Sequence, residues 1–151
     1  MKATSVEDQV LSQISTAVQS RENPLQPTCD ILRAKFPHYT SIFIYLVRDD
    51  DLVLEAFSGR PTEHTRIKIG QGICGAAVAD KSIIVVDDVS KDPRYIACSI
   101  ETKSEIVVPI WANSRIVGEI DIDSDRPAAF RNSDRQFLER IAETLSPHFS
   151  K

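Results

Sequence analysis

The sequence predicts an α+β fold in which a central antiparallel sheet is flanked by helices at both ends. Apolar residues recur at helical spacing near both termini, and the middle of the chain carries short β-branched runs grouped as hairpins. No internal repeat, low-complexity tract or dividing linker interrupts the 151 residues, so one domain is expected over 1–151.

The elements follow in order. Val6, Val10, Ile14, Ala17 and Val18 share one face of a first helix, with Thr4 or Ser5 as its cap. Pro27 opens a shorter helix, "PTCDILRAKF", which turns Ile31, Leu32 and Phe36 inward and ends at Pro37. "SIFIYLV" and "DLVLEAF" form a hairpin across Arg48, Asp49 and Asp50, and "TRIKI" and "SIIVV" supply two short strands. "SEIVVPI" and "RIVGEIDID" form a second hairpin across "WANS". The C-terminal "NSDRQFLERIAETLSPHF" is amphipathic, with Leu138, Ile141, Ala142 and Leu145 on one stripe and Asn132 or Ser133 as cap.

Composition narrows the function. A hydrophobic content of 42% suffices for one core without staples. The net charge of −4 and scattered basic residues leave no basic stripe, which argues against nucleic acid. No segment approaches the apolar length of a membrane span, and "MKATSVEDQVLSQIS" lacks the apolar core of a signal peptide, so a soluble cytoplasmic protein is expected. Three cysteines, at 29, 74 and 98, do not resemble a secreted disulfide framework and would be reduced at rest in the cytosol.

Gly70, Gly72 and Gly75 stand at G-x-G-x-x-G spacing. The helix that follows has room for barely two turns, far short of a crossover spanning a parallel sheet, so a nucleotide fingerprint is set aside. The glycines read instead as a tight turn needing positive φ. That turn puts Cys74 in the first turn of a helix, where the dipole is expected to lower its pKa.

In the second hairpin the even-numbered Ile106, Val108, Ile110, Ile116, Ile120 and Ile122 form a core face by alternation. Their odd-numbered neighbours include Glu105, Glu119, Asp121 and Asp123, which a hairpin loop of odd length would bring onto one side. A solvated outer face is one reading. Like charges on paired strands are unfavourable without something positive among them, and a metal ion or a ligand ammonium is the other.

"GQGICG", "YIACSIETKSEIVVPI" and "VGEIDIDS", in that order and at these separations, resemble the GAF-domain free methionine-(R)-sulfoxide reductases. The likeness is strongest from about Thr65 to Phe130. It implies a GAF-like antiparallel sheet with the terminal helices on one side and a pocket on the other. By motif it implies Cys98 as the attacking thiol, Cys74 as its partner, and Glu105, Asp121 and Asp123 as holders of the substrate ammonium, with Tyr45 at an aromatic position of the pocket. The implied substrate is free methionine-(R)-sulfoxide. Cys98 sulfenic acid and then a disulfide would form, and a thioredoxin-like dithiol would restore the thiols, with no cofactor or metal required.

The chain departs from the family pattern at two places: His64 stands where many members carry a third cysteine, and Ser41 is nearest to the family's pocket tryptophan. Carboxylates near Cys98 should raise its pKa unless the bound ammonium offsets them. The bland readings are a packed Cys98 and a Cys74 that seals its helix against the sheet; Cys29 reads as helix packing only. His64 reads as a solvated loop residue or a hydrogen-bond donor, and zinc held by His64, Cys74 and Cys98 is disfavoured because no C-x-x-C pair is present. The rival function is a non-catalytic GAF sensor module, for which the amphipathic terminal helices offer a homodimer surface.

Overall fold

The computed structural model describes residues 5–96 and 99–150. Helices α1 (Val6–Gln19) and α2 (Leu25–Lys35) lead into strands β1 (Ser41–Arg48), β2 (Asp51–Ser58) and β3 (Arg66–Lys68). Helix α3 (Gly72–Asp80), strand β4 (Ile84–Val86), a 3₁₀ turn (Val89–Lys91), strands β5 (Ser104–Ala112) and β6 (Arg115–Ser124) and helix α4 (Asn132–Phe149) follow. All six strands form one sheet in the order β3-β2-β1-β6-β5-β4, antiparallel at every pairing. The α+β class is therefore as expected. Among the described residues no helix is long and apolar enough to cross a membrane.

Local chemistry explains the helix ends. Ser5 caps α1 by accepting the Asp8 N–H at 3.0 Å. Helix α2 starts at Leu25, two residues before the expected Pro27, because Asn23 Oδ1 accepts the Leu25 N–H. Pro27 then sits in the first turn, where a missing N–H leaves no bond unmade. Helix α4 is capped from within: Arg131 is the N-cap and donates its N–H to Asp134 Oδ2 at 2.9 Å, not the expected Asn132 or Ser133.

The sheet has two unlike sides. Helices α1, α2 and α4 cover one of them, packing Val10, Ile14, Leu32, Leu138 and Ile141 on Ile42, Ile44, Ile106, Val108, Ile120 and Ile122. Cys29 is buried in that layer with its pKa pushed up to about 12 by desolvation, as a packing residue requires. Helix α3 covers the other side, against Phe43, Tyr45, Ile84, Val86 and Val107.

One residue sets which side chains reach which side. The β5–β6 turn holds two residues, Asn113 and Ser114, both at positive φ, between paired Ala112 and Arg115. Two is an even number, so the loop alone would set even-numbered residues opposite odd ones. A bulge corrects this: Trp111 pairs with Ile116 and Ile110 with Gly118, leaving Val117 as the extra residue. Beyond the bulge Glu105 faces Asp123 and Ile106 faces Ile122. The expected odd-length loop is thus a two-residue turn plus a one-residue bulge. Ile116 lies on the near side of the bulge and packs under α3, contrary to its expected place on the main core face, which Val117 takes instead.

Candidate active site

The side of the sheet beneath α3 is built in cross-strand rows. Ser41, Asp123, Glu105 and Val86 form the first, Phe43, Asp121, Val107 and Ile84 the second, and Tyr45, Glu119 and Pro109 the third. Three alternate positions on β6 and one on β5 therefore place four carboxyl groups under the helix. None of them is solvated: Glu105 is 5% exposed, Glu119 0%, and Asp121 and Asp123 3% each. The outer-face alternative is excluded for these acids.

Helix α3 delivers the thiol. Gly70 and Gly72 turn the chain at φ +98° and +66°, while Gly75 is needed for close packing, since a Cβ there would lie 2.6 Å from the Lys68 carbonyl oxygen. Cys74 falls in the first turn of the helix, and its Sγ donates to Asp121 Oδ2 at 3.2 Å. Its pKa is raised well above the ordinary thiol value by desolvation, and the charges of Asp121, Glu119 and Glu105 push the same way. The expected lowering by the helix dipole is overturned, because burial among carboxylates outweighs half a unit of dipole charge.

The acids press on one another too. Desolvation raises the pKa of Glu119, Asp121 and Asp123 above the ordinary carboxylate range. Hydrogen bonding from Glu105 opposes this at Asp121 and Asp123, and the Cys74 thiol opposes it at Asp121 and Glu119. Both carboxyl oxygens of Glu119, together with Asp121 Oδ1 and Asp123 Oδ1, are buried without a partner of normal hydrogen-bonding geometry. Arg60, whose charge reaches Asp123, spends its guanidinium on Asp125 and Glu101.

A cavity of about 30 Å³ opens between α3 and the acids, lined among others by Tyr45, His64, Cys74, Tyr95, Glu105 and Asp121. Tyr45 is fixed by a 2.7 Å hydrogen bond from its hydroxyl to the His64 carbonyl. His64 thus acts here through its backbone. Of the residues expected at the site, Tyr45, Cys74, Glu105 and Asp121 meet in this cavity, and Asp123 lies one position outward, opposite Glu105. Cys98 lies outside the described residues. Trp111 is partly exposed at the far end of the second hairpin, away from the cavity. Sequence reasoning put Glu119 on the acidic face but gave it no role; its alternation with Asp121 was the available signal.

Residues 20–148 match the family model described as the GAF domain. The chain belongs to the GAF domain family. It is 33% identical to GAF domain-containing protein A of Dictyostelium discoideum, over 91% of this chain and 89% of that one. It is 39% identical to the free methionine-R-sulfoxide reductase of Escherichia coli, over 67% of this chain and 61% of that protein. Among solved structures, the free methionine-R-sulfoxide reductase of Neisseria meningitidis in complex with its substrate superposes with a TM-score of 0.89 at 35% identity, covering 99% of this chain and 93% of that one. This GAF domain therefore shares its fold and much of its sequence with reductases of a free amino acid.

Proposed function

We propose that this GAF domain reduces free methionine-(R)-sulfoxide to methionine at the expense of a dithiol. The observation that carries the reading is the set of buried carboxyls, Glu105 and Asp121 beside the Cys74 thiol and Asp123 across from Glu105. Such a cluster attracts one compact cation with several N–H donors, and the α-ammonium of a free amino acid is that group. The names of the Escherichia coli and Neisseria meningitidis relatives supply the substrate.

Each group has a task. Glu105, Asp121 and Asp123 hold the ammonium, and Tyr45 walls the pocket. The Cys98 thiolate attacks the sulfoxide sulfur while a neighbouring protonated carboxyl gives its proton to the oxygen. The S–O bond to the substrate breaks, the oxygen ends on the cysteine as a sulfenic acid, and the sulfide, methionine, departs. Cys74 then attacks the sulfenic sulfur, giving a Cys74–Cys98 disulfide and water. A thioredoxin-like dithiol reduces that disulfide by exchange. The ammonium brings the positive charge that favours ionised carboxylates and thiolates, so the substrate helps to activate its own nucleophile. The cavity has about the volume of one water, 30 Å³, so an amino acid entering it displaces lining side chains.

The test supplies methionine-(R)-sulfoxide with thioredoxin, thioredoxin reductase and NADPH, and follows NADPH consumption. Turnover of the R epimer, lost in Cys98→Ser, is expected. Binding without turnover would overturn the reductase reading and leave a sensor module.

A further inference from the structure

Cys74 Sγ, a carboxylate oxygen of Glu105 and one of Asp121 all lie within 4.8 Å of one another, and all three residues are buried. This is the one convergence of three or more cysteine, histidine or carboxylate donors among the described residues. A second observation points the same way. Glu119, wholly buried, has both oxygens without a normal hydrogen-bonding partner, as are Asp121 Oδ1 and Asp123 Oδ1, and the Glu119 charge acts on the same thiol. Among the described residues no lysine or arginine forms an ion pair with Glu119, Asp121 or Asp123.

We infer that Cys74, Glu105 and Asp121 form a binding site for a thiophilic divalent cation, with Zn²⁺ the best fit. One sulfur and two carboxylate oxygens are donors that Zn²⁺ accepts in a tetrahedral set, leaving the fourth position for water. Calcium and magnesium are disfavoured, since they take six or more oxygens or keep a water shell that a cavity this small does not hold. On binding, the Cys74 S–H bond breaks, a metal–sulfur bond forms and the proton leaves to solvent, so binding should weaken as pH falls. The consequence is a protected thiol: a metal-bound Cys74 is neither free to form a disulfide nor open to oxidants. The metal shares Cys74, Glu105 and Asp121 with the proposed reductase site, so metal and substrate ammonium exclude one another there, but metal binding needs neither Cys98 nor a sulfoxide.

The test uses reduced full-length protein with Co²⁺ as the optical probe and Zn²⁺ as competitor. One equivalent of Co²⁺ should give a near-ultraviolet thiolate-to-cobalt band that Zn²⁺ removes. The band should persist in Cys98→Ser and disappear in Cys74→Ser. Asp121→Asn keeps the shape of the site and relieves a buried charge, and should weaken Zn²⁺ binding by about tenfold or more in chelator competition. A folded wild-type protein that gives no band, a band that survives Cys74→Ser, or unchanged Zn²⁺ affinity in Asp121→Asn would overturn the site. The readout is metal binding in the absence of substrate, so its failure is distinct from a failure of turnover.

Discussion

Ile120 and Asp121 are neighbours in β6 and end in opposite worlds. Ile120 enters the layer beneath α1, α2 and α4, where strand and helix side chains interlock as apolar groups. Asp121 enters the layer beneath α3, where four carboxyls and a thiol share a volume that apolar residues wall on most sides. The same strands thus separate two tasks by alternation alone. One side gains stability from burial, and the other gives some up by desolvating acids that only a cation or protons can relieve. A strand that buries both faces can keep its stability on one and place its chemistry on the other.

The largest expected effect comes from breaking the alternation that keeps the sides apart. Inserting one residue between Gly118 and Glu119 moves the acids of β6 by one position against both β5 and β1, toward the apolar layer. Cooperative unfolding, followed by near-ultraviolet circular dichroism, should then be lost. An insertion variant that melts like wild type would show that the register is fixed elsewhere.

Next comes the core side. Ile122→Ala should cost about 2–5 kcal/mol in urea denaturation, as expected for a fully buried isoleucine opposite Ile106. Asp121→Asn, the corresponding change on the other side, should leave stability near or above its original value. A comparable loss from both would contradict the division of labour.

The pH dependence sharpens the contrast further. A carboxyl whose pKa rises on folding holds its proton more tightly in the folded chain. Glu119, Asp121 and Asp123 therefore destabilise the free protein as pH climbs from about 4, the ordinary carboxylate value, through their raised values. Urea midpoints across that range should fall, and Glu119→Gln should flatten the fall. A rising midpoint in wild type would refute it.

Asp134 is the smallest case and has the opposite sign. Burial acts to raise its pKa, but the Arg131 N–H, His38 and Tyr39 together hold it below the ordinary value. Its contribution is present above the unfolded pKa and lost as pH falls through the folded one. Asp134→Asn should cost about 0.5–2 kcal/mol near neutral pH, as a lost helix cap does, and the difference should vanish in acid. Denaturation of both proteins at two pH values checks this.

How much of this was legible in the sequence depends on the range of the interaction. Strand alternation and the helical stripes are local, so the α+β class, both hairpins and the shared face of Glu105, Asp121 and Asp123 could be read directly. The bulge at Val117 could not, because it is set by how β6 pairs with β1 and β5 at once. At Gly118 a Cβ would lie 2.5 Å from the Tyr45 carbonyl oxygen, a restriction only the assembled sheet reveals. The Cys74 pKa departs from its local expectation for the same reason. Its helix position is local, but the desolvation and carboxylate charge that prevail there come from β5 and β6. Glu119 was visible on the acidic face, yet its complete burial depended on Tyr45 and Pro109, its partners across two strands.

The proposed function requires Glu105, Asp121 and Asp123 to hold a free ammonium group. The most direct test compares free methionine-(R)-sulfoxide with its N-acetyl derivative, which keeps the sulfoxide and loses the charge, in calorimetric binding to the Cys98→Ser protein. The free amino acid should bind and the N-acetyl compound should not, with a difference of at least about 1.5 to 3 kcal/mol, the scale of one hydrogen bond to a charged group. Equal binding of the two compounds would contradict the claim.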